Sequence, residues 1–272
     1  MRYNLIIARF SEIAVKSGPV RKRLIKILVY NIKKALKKSK VKADVYAKWE
    51  RIFIETKQIK KSVYTLKHVF GIVSISPAIK VQLAMLEEEI ERYAKLAKNK
   101  KFAVRVKRVG QHPFTSKEME AKLGSIVETK AKSEVDLTNP EITFFVEIRN
   151  EEAYLYFETI PGPGGMPLGS EERVVCVINN KKDLIACWLM MKKGCRVRVY
   201  ASISIKPLKK WMYGKDVKII SKTEAEKLAK NLPLVSGNTL KDGFMDEEGI
   251  VFYPLFAMTE EEIKEIYRKI NI

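Results

Sequence analysis

Cations crowd two stretches of this chain densely enough to hold a polyanion. Arg21, Lys22, Arg23, Lys33, Lys34, Lys37 and Lys38 fall in one run, and Arg105, Lys107 and Arg108 in another, with His112 just beyond. Such side chains neutralise phosphates with little choice of base sequence, although each can equally be a solvated surface charge. His112 precedes Pro113, where steadying a turn is as natural a role as touching a ligand. A third group, Asn179, Asn180, Lys181, Lys182 and Asp183, follows an apolar run ending at Ile178. A turn from a strand into a helix offers free N–H groups and the positive end of the helix dipole to an anion. Asn179 and Asn180 tolerate left-handed φ, Lys181 adds charge and Asp183 can cap the helix. A nucleotide cradle needs glycine so that the backbone can close on the phosphates, and this turn has none. The turn therefore reads as structural. ATP is the cofactor its position suggests, its residue types argue against ATP, and no cofactor is expected.

The thiols extend that reading. Cys176, Cys187 and Cys195 have neither the number for a disulfide framework nor the spacing of a zinc site, and only His68 and His112 could complement them. They are expected to be buried core residues, so no catalytic residue and no metal are assigned. A reducing cytoplasm is the expected location. The apolar run at the N-terminus is too short for a signal peptide, and the run Ile185 to Met191 is far below the ~18 residues of a membrane span.

The chain has 272 residues, 46% of them hydrophobic, enough for real cores. Its 52 Lys and Arg against 32 Asp and Glu leave a net charge of +20, which argues for a nucleic acid or an anionic membrane as partner. Within residues 1–50 there are 14 Lys and Arg against 3 Asp and Glu, so the electrostatic footprint is concentrated there.

The elements that must position these groups are mixed α and β. Tyr3 to Arg9 reads as a strand. Ser17-Gly18-Pro19 starts a helix whose stripe is Val20, Leu24, Ile27, Leu28, Ile32 and Ala35, with the lysines around it. A hairpin follows, turning at Glu50-Arg51. Ile59, Val63, Leu66 and Phe70 mark a helix stopped by Gly71. Ile72 to Val81 is extended, and Pro77 suggests an edge or a bulge. A helix from Leu83 to Ala97, a strand from Phe102, a helix opened by the capping box Thr115-Ser116-Lys117-Glu118, and two alternating strands around the turn Asn150-Glu151 complete this block. Four Gly and three Pro between Pro161 and Gly169 read as a domain linker. Beyond it, a strand, a helix from Leu184 to Lys192 and a second strand make a βαβ unit with a parallel sheet.

Several of these stretches together resemble the tRNA 4-thiouridine synthetase family. They are Arg9-Phe10-Ser11-Glu12-Ile13-Ala14-Val15-Lys16-Ser17, the run Phe102 to Ser116 containing Gly110-Gln111-His112-Pro113-Phe114, Val135-Asp136-Leu137-Thr138-Asn139-Pro140-Glu141-Ile142, Gly164 to Gly169, and Met190 to Val197. The resemblance implies an N-terminal ferredoxin-like domain over 1–57, a THUMP domain over 58–160 and a shortened parallel α/β, Rossmann-like pyrophosphatase domain over 161–272. It also implies two departures. The family's Ser-Gly-Gly-x-Asp-Ser loop is replaced by Asn179-Asn180-Lys181-Lys182-Asp183-Leu184, and its Cys-x-x-Cys falls on Ile205 and Leu208.

The expected function is RNA binding, with tRNA and its acceptor end implied by the family's use of THUMP, and with little or no catalysis. The two cation runs would form one basic surface. The runner-up is a divergent sulfurtransferase that adenylates and thiolates uridine, using Asp183, Lys181 and a cysteine. A separate tRNA-modifying enzyme and a second copy of the chain are partners the sequence leaves open. No membrane role is expected, because no basic helix keeps a free apolar face.

Overall fold

The computed structural model describes residues 2–10, 12–214, 216–245 and 249–271. Ser11, part of the opening resemblance, lies outside them. In chain order the elements begin β1 (Leu5–Arg9), α1 (Gly18–Lys38), β2 (Asp44–Lys48), β3 (Arg51–Glu55), α2 (Ile59–Leu66) and β4 (Ser74–Gln82). This is the βαββαβ arrangement of a ferredoxin-like domain, with the strand order β2-β3-β1-β4. α3 (Leu86–Ala94), β5 (Phe102–Val109), α4 (Ser116–Ala131), β6 (Ile142–Arg149), β7 (Glu152–Tyr156) and β8 (Ile160–Pro161) follow.

β4 joins the two units. Its first half pairs with β1, its second half with β7, and the whole becomes one sheet in the order β2-β3-β1-β4-β7-β6-β5, with β8 added beside β4. A boundary at residue 57 therefore does not coincide with a boundary between cores. Leu66 and Val69, together with Ile72 and Ile75, pack in the first core against Leu24, Leu28 and Ile32 of α1.

Pro77 sits inside this sheet and not at its edge. It registers with Ile6 on the β1 side. On the other side β8 pairs at Ser74 and Ile75 and β7 only from Ile79, so the position without an N–H falls where neither neighbour pairs. The hairpin turn lies one residue earlier than the sequence suggests. Trp49 and Glu50 both take positive φ, 50° and 57°, as a two-residue loop matched to the strand twist demands. The capping box is present as expected: Thr115 accepts from the Glu118 N–H, and the Glu118 carboxylate accepts from the Thr115 N–H.

The third domain is a Rossmann-like parallel sheet. Its elements are β9 (Arg173–Ile178), α5 (Lys181–Lys192), β10 (Arg196–Ala201), α6 (Lys206–Lys209), β11 (Lys218–Ile219), α7 (Lys222–Ala229), β12 (Leu234–Val235), β13 (Val251–Phe252) and α8 (Glu260–Asn271). The strand order is β11-β10-β9-β12-β13. The chain runs outward from β9 through β10 to β11, then returns to β12 on the other side of β9. That reversal puts a topological switch point between β9 and β12.

The Gly- and Pro-rich segment joining the domains is a packed strap. Gly164 N–H donates to the Ile72 carbonyl (2.8 Å), Met166 N–H to Lys192 (2.9 Å) and Gly169 N–H to Gly194 (2.8 Å). Gly165 takes φ 75° with its α-carbon against the Lys192 backbone, leaving no room for a side chain. Phe70, expected at the end of α2, lies beyond it and enters the third domain's core, stacking on Trp211 at 5.1 Å and meeting Trp188 edge-on at 5.4 Å.

Candidate functional site

α1 carries the lysines, but its packing divides them into two classes. Leu24, Leu28, Ile32, Ala35 and Leu36 are buried in the first core, and Asn31 is buried with its amide donating to the Leu168 carbonyl at 2.9 Å. Lys34 donates from Nζ to the Gly214 carbonyl (2.8 Å), and Lys38 lies 5.5 Å over the Tyr213 ring. Burial, then the nearby Lys38 charge, hold the Lys34 ammonium below its ordinary pKa. Lys34 therefore fastens the helix to the third domain and is not a free phosphate ligand. Lys22, Arg23, Lys33, Lys37 and Lys38 remain exposed, and Arg21 forms an exposed ion pair with Glu50 at 2.6 Å.

At the start of α1, Lys22, Arg23 and Lys26 face Arg173 and Arg196 across a cleft of about 860 Å³. Asp216 is the carboxylate in its lining. Arg173 Nε approaches it at 3.0 Å and Arg198 Nη2 at 2.7 Å. Lys26, which lies among the basic residues around the α1 stripe, and Arg173 and Arg196 are not among the phosphate ligands expected from the sequence. The available signal was that Arg173 and Arg196 open two successive parallel strands, whose register sets them side by side.

The second run does not join the first. β5 is the edge strand farthest from β2, four strand spacings from β1, about 19 Å at ~4.8 Å each. The expected single surface is therefore two. Lys107 is exposed, while Arg105 donates to the Leu137 carbonyl and Arg108 reaches the Gly110 carbonyl at 3.4 Å. His112 turns Nε2 toward the Val109 carbonyl (3.3 Å) and stacks on Phe114 at 5.2 Å.

The turn after β9 is occupied by its own carboxylate. Asp183 Oδ2 accepts from the N–H groups of Asn179 (3.0 Å) and Asn180 (3.2 Å), and Oδ1 accepts from Gly237 N–H (3.1 Å). Asn180 Oδ1 in turn accepts from the Asp183 N–H at 3.1 Å. Gly237 follows β12 across the switch point and lies so close to the start of α5 that a β-carbon there would meet the Lys182 and Asp183 backbone. The two flanking lysines are engaged. Lys182 pairs with Asp242 (2.9 Å) and Glu260 (3.8 Å), and Lys181 lies 5.6 Å over the Tyr267 ring. Backbone donors that a phosphate could use are thus directed at Asp183, and the charges beside them at acids and an aromatic ring.

The thiols are buried in the third core, as expected. Burial pushes Cys195 up to about 11 and Cys176 well above its ordinary value. Ile205 and Leu208 also pack in that core. Thiolate is the reactive form. A colorimetric thiol reagent at pH 8 should therefore find almost no reactive thiol in the native chain and three after denaturation. One fast-reacting native thiol would contradict the inert-core reading. Among the described residues no cluster of three or more His, Cys, Asp or Glu could hold a metal. No helix there is long and apolar enough to cross a membrane.

Known proteins resemble this chain in sequence and fold. The ThiI ferredoxin-like domain family matches residues 5–76, and the THUMP domain family matches residues 83–158. A "Probable tRNA sulfurtransferase" of Methanobrevibacter smithii is 41% identical over 207 residues, covering 72% of this chain and 53% of that protein. The chain spans about half the length of the first curated relatives it matches. A second "Probable tRNA sulfurtransferase", from Saccharolobus solfataricus, is 30% identical over 327 positions, covering 98% of this chain and 86% of that protein. Aligning 327 positions to 272 residues requires internal gaps in this chain. PH1313 from Pyrococcus horikoshii superposes with a TM-score of 0.85 at 31% identity, covering 99% of this chain and all of that one. A 4-thiouridine synthetase solved with RNA and ATP superposes with a TM-score of 0.79, covering 98% of this chain and 85% of that one. At 20% identity that last likeness is one of fold.

Proposed function

This chain belongs to the tRNA sulfurtransferase family, and on that premise we propose that it binds tRNA and serves uridine thiolation without adenylating the uridine itself. The observation that carries the reading is Asp183, whose carboxylate takes three backbone N–H donors at the switch point where a nucleotide's phosphates would lie. The buried cysteines support it on the sulfur side. Binding is supported by the two matched domains and by the cleft at the start of α1, where five cations face one carboxylate. In this reading Arg21, Lys22, Arg23, Lys33, Lys37 and Lys38 meet phosphates, with Lys107 and Arg108 as a separate second contact. Such contacts give affinity and orientation, and shape and end recognition rather than base readout set the target. The acceptor end is the part of the tRNA it holds, and a separate modifying enzyme completes the chemistry.

The relatives' printed name favours a second reading, and on that ground it is the stronger: the chain itself is a sulfurtransferase that uses ATP. ATP–pyrophosphate exchange with purified protein and tRNA separates the two. The first reading expects no exchange above background. Exchange that Asp183→Ala abolishes would establish the second. Filter binding of whole tRNA, an acceptor-stem minihelix and duplex DNA tests the partner. Reversing Arg21, Lys22 and Arg23 to Glu should weaken every tRNA alike, because phosphate contacts carry no base information. A loss confined to one tRNA would point to base readout instead.

A further inference from the structure

A second unbalanced group of cations is largely buried, around the strand beside the second run, where Lys107 registers with Glu147. Alternation along β1 and β3 sends Ile6, Ala8, Ile52 and Ile54 into the helix-covered core and Leu5, Ile7 and Phe53 to the opposite face. The cluster on that face contains residues of strands and of one strand turn, with no helix residue in it. The same period of two brings Arg9 of β1, Arg51 of β3, and Glu147 and Arg149 of β6 together there, where the first two domains join.

Glu147 is the hub. Its Oε1 accepts from Arg9 Nη2 (2.8 Å) and Nε (3.2 Å), and its Oε2 from Arg149 Nη2 (3.0 Å). Arg51 Nε stands 3.4 Å from Oε2 as an ion pair without hydrogen-bond alignment. Arg9 is further held by Ser76 Oγ (2.9 Å) and lies 4.9 Å over the Tyr156 ring. One carboxylate therefore serves three guanidiniums. Of the other acids on this face, Glu152 is taken by Lys80 at 2.6 Å, Lys48 at 3.8 Å and the Tyr154 hydroxyl at 2.8 Å, Glu55 accepts from the Tyr46 hydroxyl at 2.7 Å, and Asp44 pairs in register with Glu55 at the far end of β3 from Arg51. Arg149 is only 7% exposed. The Nε atoms of Arg51 and Arg149 are buried without a hydrogen-bond acceptor among the described residues. A structural cross-link between domains explains why Glu147 is there. It does not explain two surplus cations and two idle donors in a poorly solvated place, where unpaired charge is costly.

We propose that Arg9, Arg51 and Arg149 form a phosphate-binding site on the open sheet face, the phosphate supplying the second anion that the cluster lacks. Guanidinium forks match phosphate oxygens in pairs, and Arg51, at 22% side-chain exposure, is the way in. The phosphate is either one of an RNA backbone or free in solution. In the first case the half-buried rings of Trp49 and Phe145 lie on the same face, Trp49 beneath Lys48 Nζ (3.7 Å) and Phe145 against Tyr156 (5.1 Å), and adjacent bases would stack beside them. Only that choice of source rests on the RNA-binding reading.

The test is an NMR titration of the arginine Nε–Hε signals of the full chain, with inorganic phosphate and separately with a short single-stranded RNA, at constant ionic strength. The Arg51 and Arg149 signals should shift and saturate. Arg51→Gln should weaken the response of Arg149 by about tenfold or more while the melting temperature in phosphate-free buffer stays near that of the parent. A shift with both ligands or with RNA alone assigns a backbone phosphate, and a shift with phosphate alone assigns a free anion. Silence of both signals with both ligands overturns the site and leaves a domain cross-link. The wild-type titration decides this even if a variant fails to fold. tRNA retained on filters with silent arginines sinks this site and leaves the functional reading standing. Shifted arginines without tRNA binding do the reverse.

Discussion

Glu147→Gln should lower folding stability by about 3–5 kcal/mol, the usual cost of removing one partner from a buried ion pair. The reason is that three guanidiniums would be left facing one another across the seam of the first two domains. The pH dependence follows from the same network. Burial alone would raise the Glu147 carboxyl, but the charges of Arg9 and Arg51 and the hydrogen bonds from Arg9 and Arg149 bring it from 4.5 to about 2. A carboxyl depressed in the folded state stabilises fully above its unfolded value and loses that contribution as pH falls through the folded one. Stability from this residue should thus be complete above about pH 4.5 and fall away toward pH 2, by roughly 3 kcal/mol at ~1.4 kcal/mol per unit. Urea unfolding of the parent and of the variant, at pH 7 and again at pH 3, reads both effects. The parent should lose part of its advantage over Glu147→Gln at the lower pH. Equal midpoints at pH 7 would mean that the network holds nothing together.

tRNA affinity should collapse with salt. If about 6–10 phosphates are neutralised, counterion release predicts a ~10³–10⁵-fold loss between 50 and 200 mM. The structure changes which cations supply that count. Lys34 is spent on Gly214, whereas Lys26, Arg173 and Arg196 line the cleft with Lys22 and Arg23, Arg196 also pairing with Glu172 and Arg173 with Asp216. Neutralising Lys34 should therefore leave the salt slope almost unchanged. Neutralising Lys22 or Lys26 should each remove about one unit of slope. Filter binding over a salt series measures this directly, and a nearly flat response in the parent protein would remove the extended phosphate footprint from consideration.

Much of this molecule could be read from its residue order because the deciding forces act over a few positions. Of the α1 stripe, Leu24, Leu28, Ile32 and Ala35 are buried as the 3.6-residue period requires, Ile27 is half-buried, and Val20 in the first turn is exposed. Thr115 and Glu118 cap α4 by reaching backbone three residues away, and Asn180 and Asp183 do the same for α5. The hairpin turn was misplaced by one residue because Trp49 and Glu50 are unusual occupants of positive φ, and only the register Lys48 with Arg51 requires it there.

What could not be read was the fate of each charge. Lys33 and Lys34 are adjacent and alike, yet one is exposed and the other is fastened to a carbonyl 180 positions on. Arg9 meets Glu147 across 138 positions, because β4 carries the first sheet into the second and the pairings on either side of it fix which side chains share a face. Helix, strand and cap obey periodicity and short-range hydrogen bonding, which any short window of residues contains. A partner for a charge is settled by the packing of two distant cores, which no such window contains.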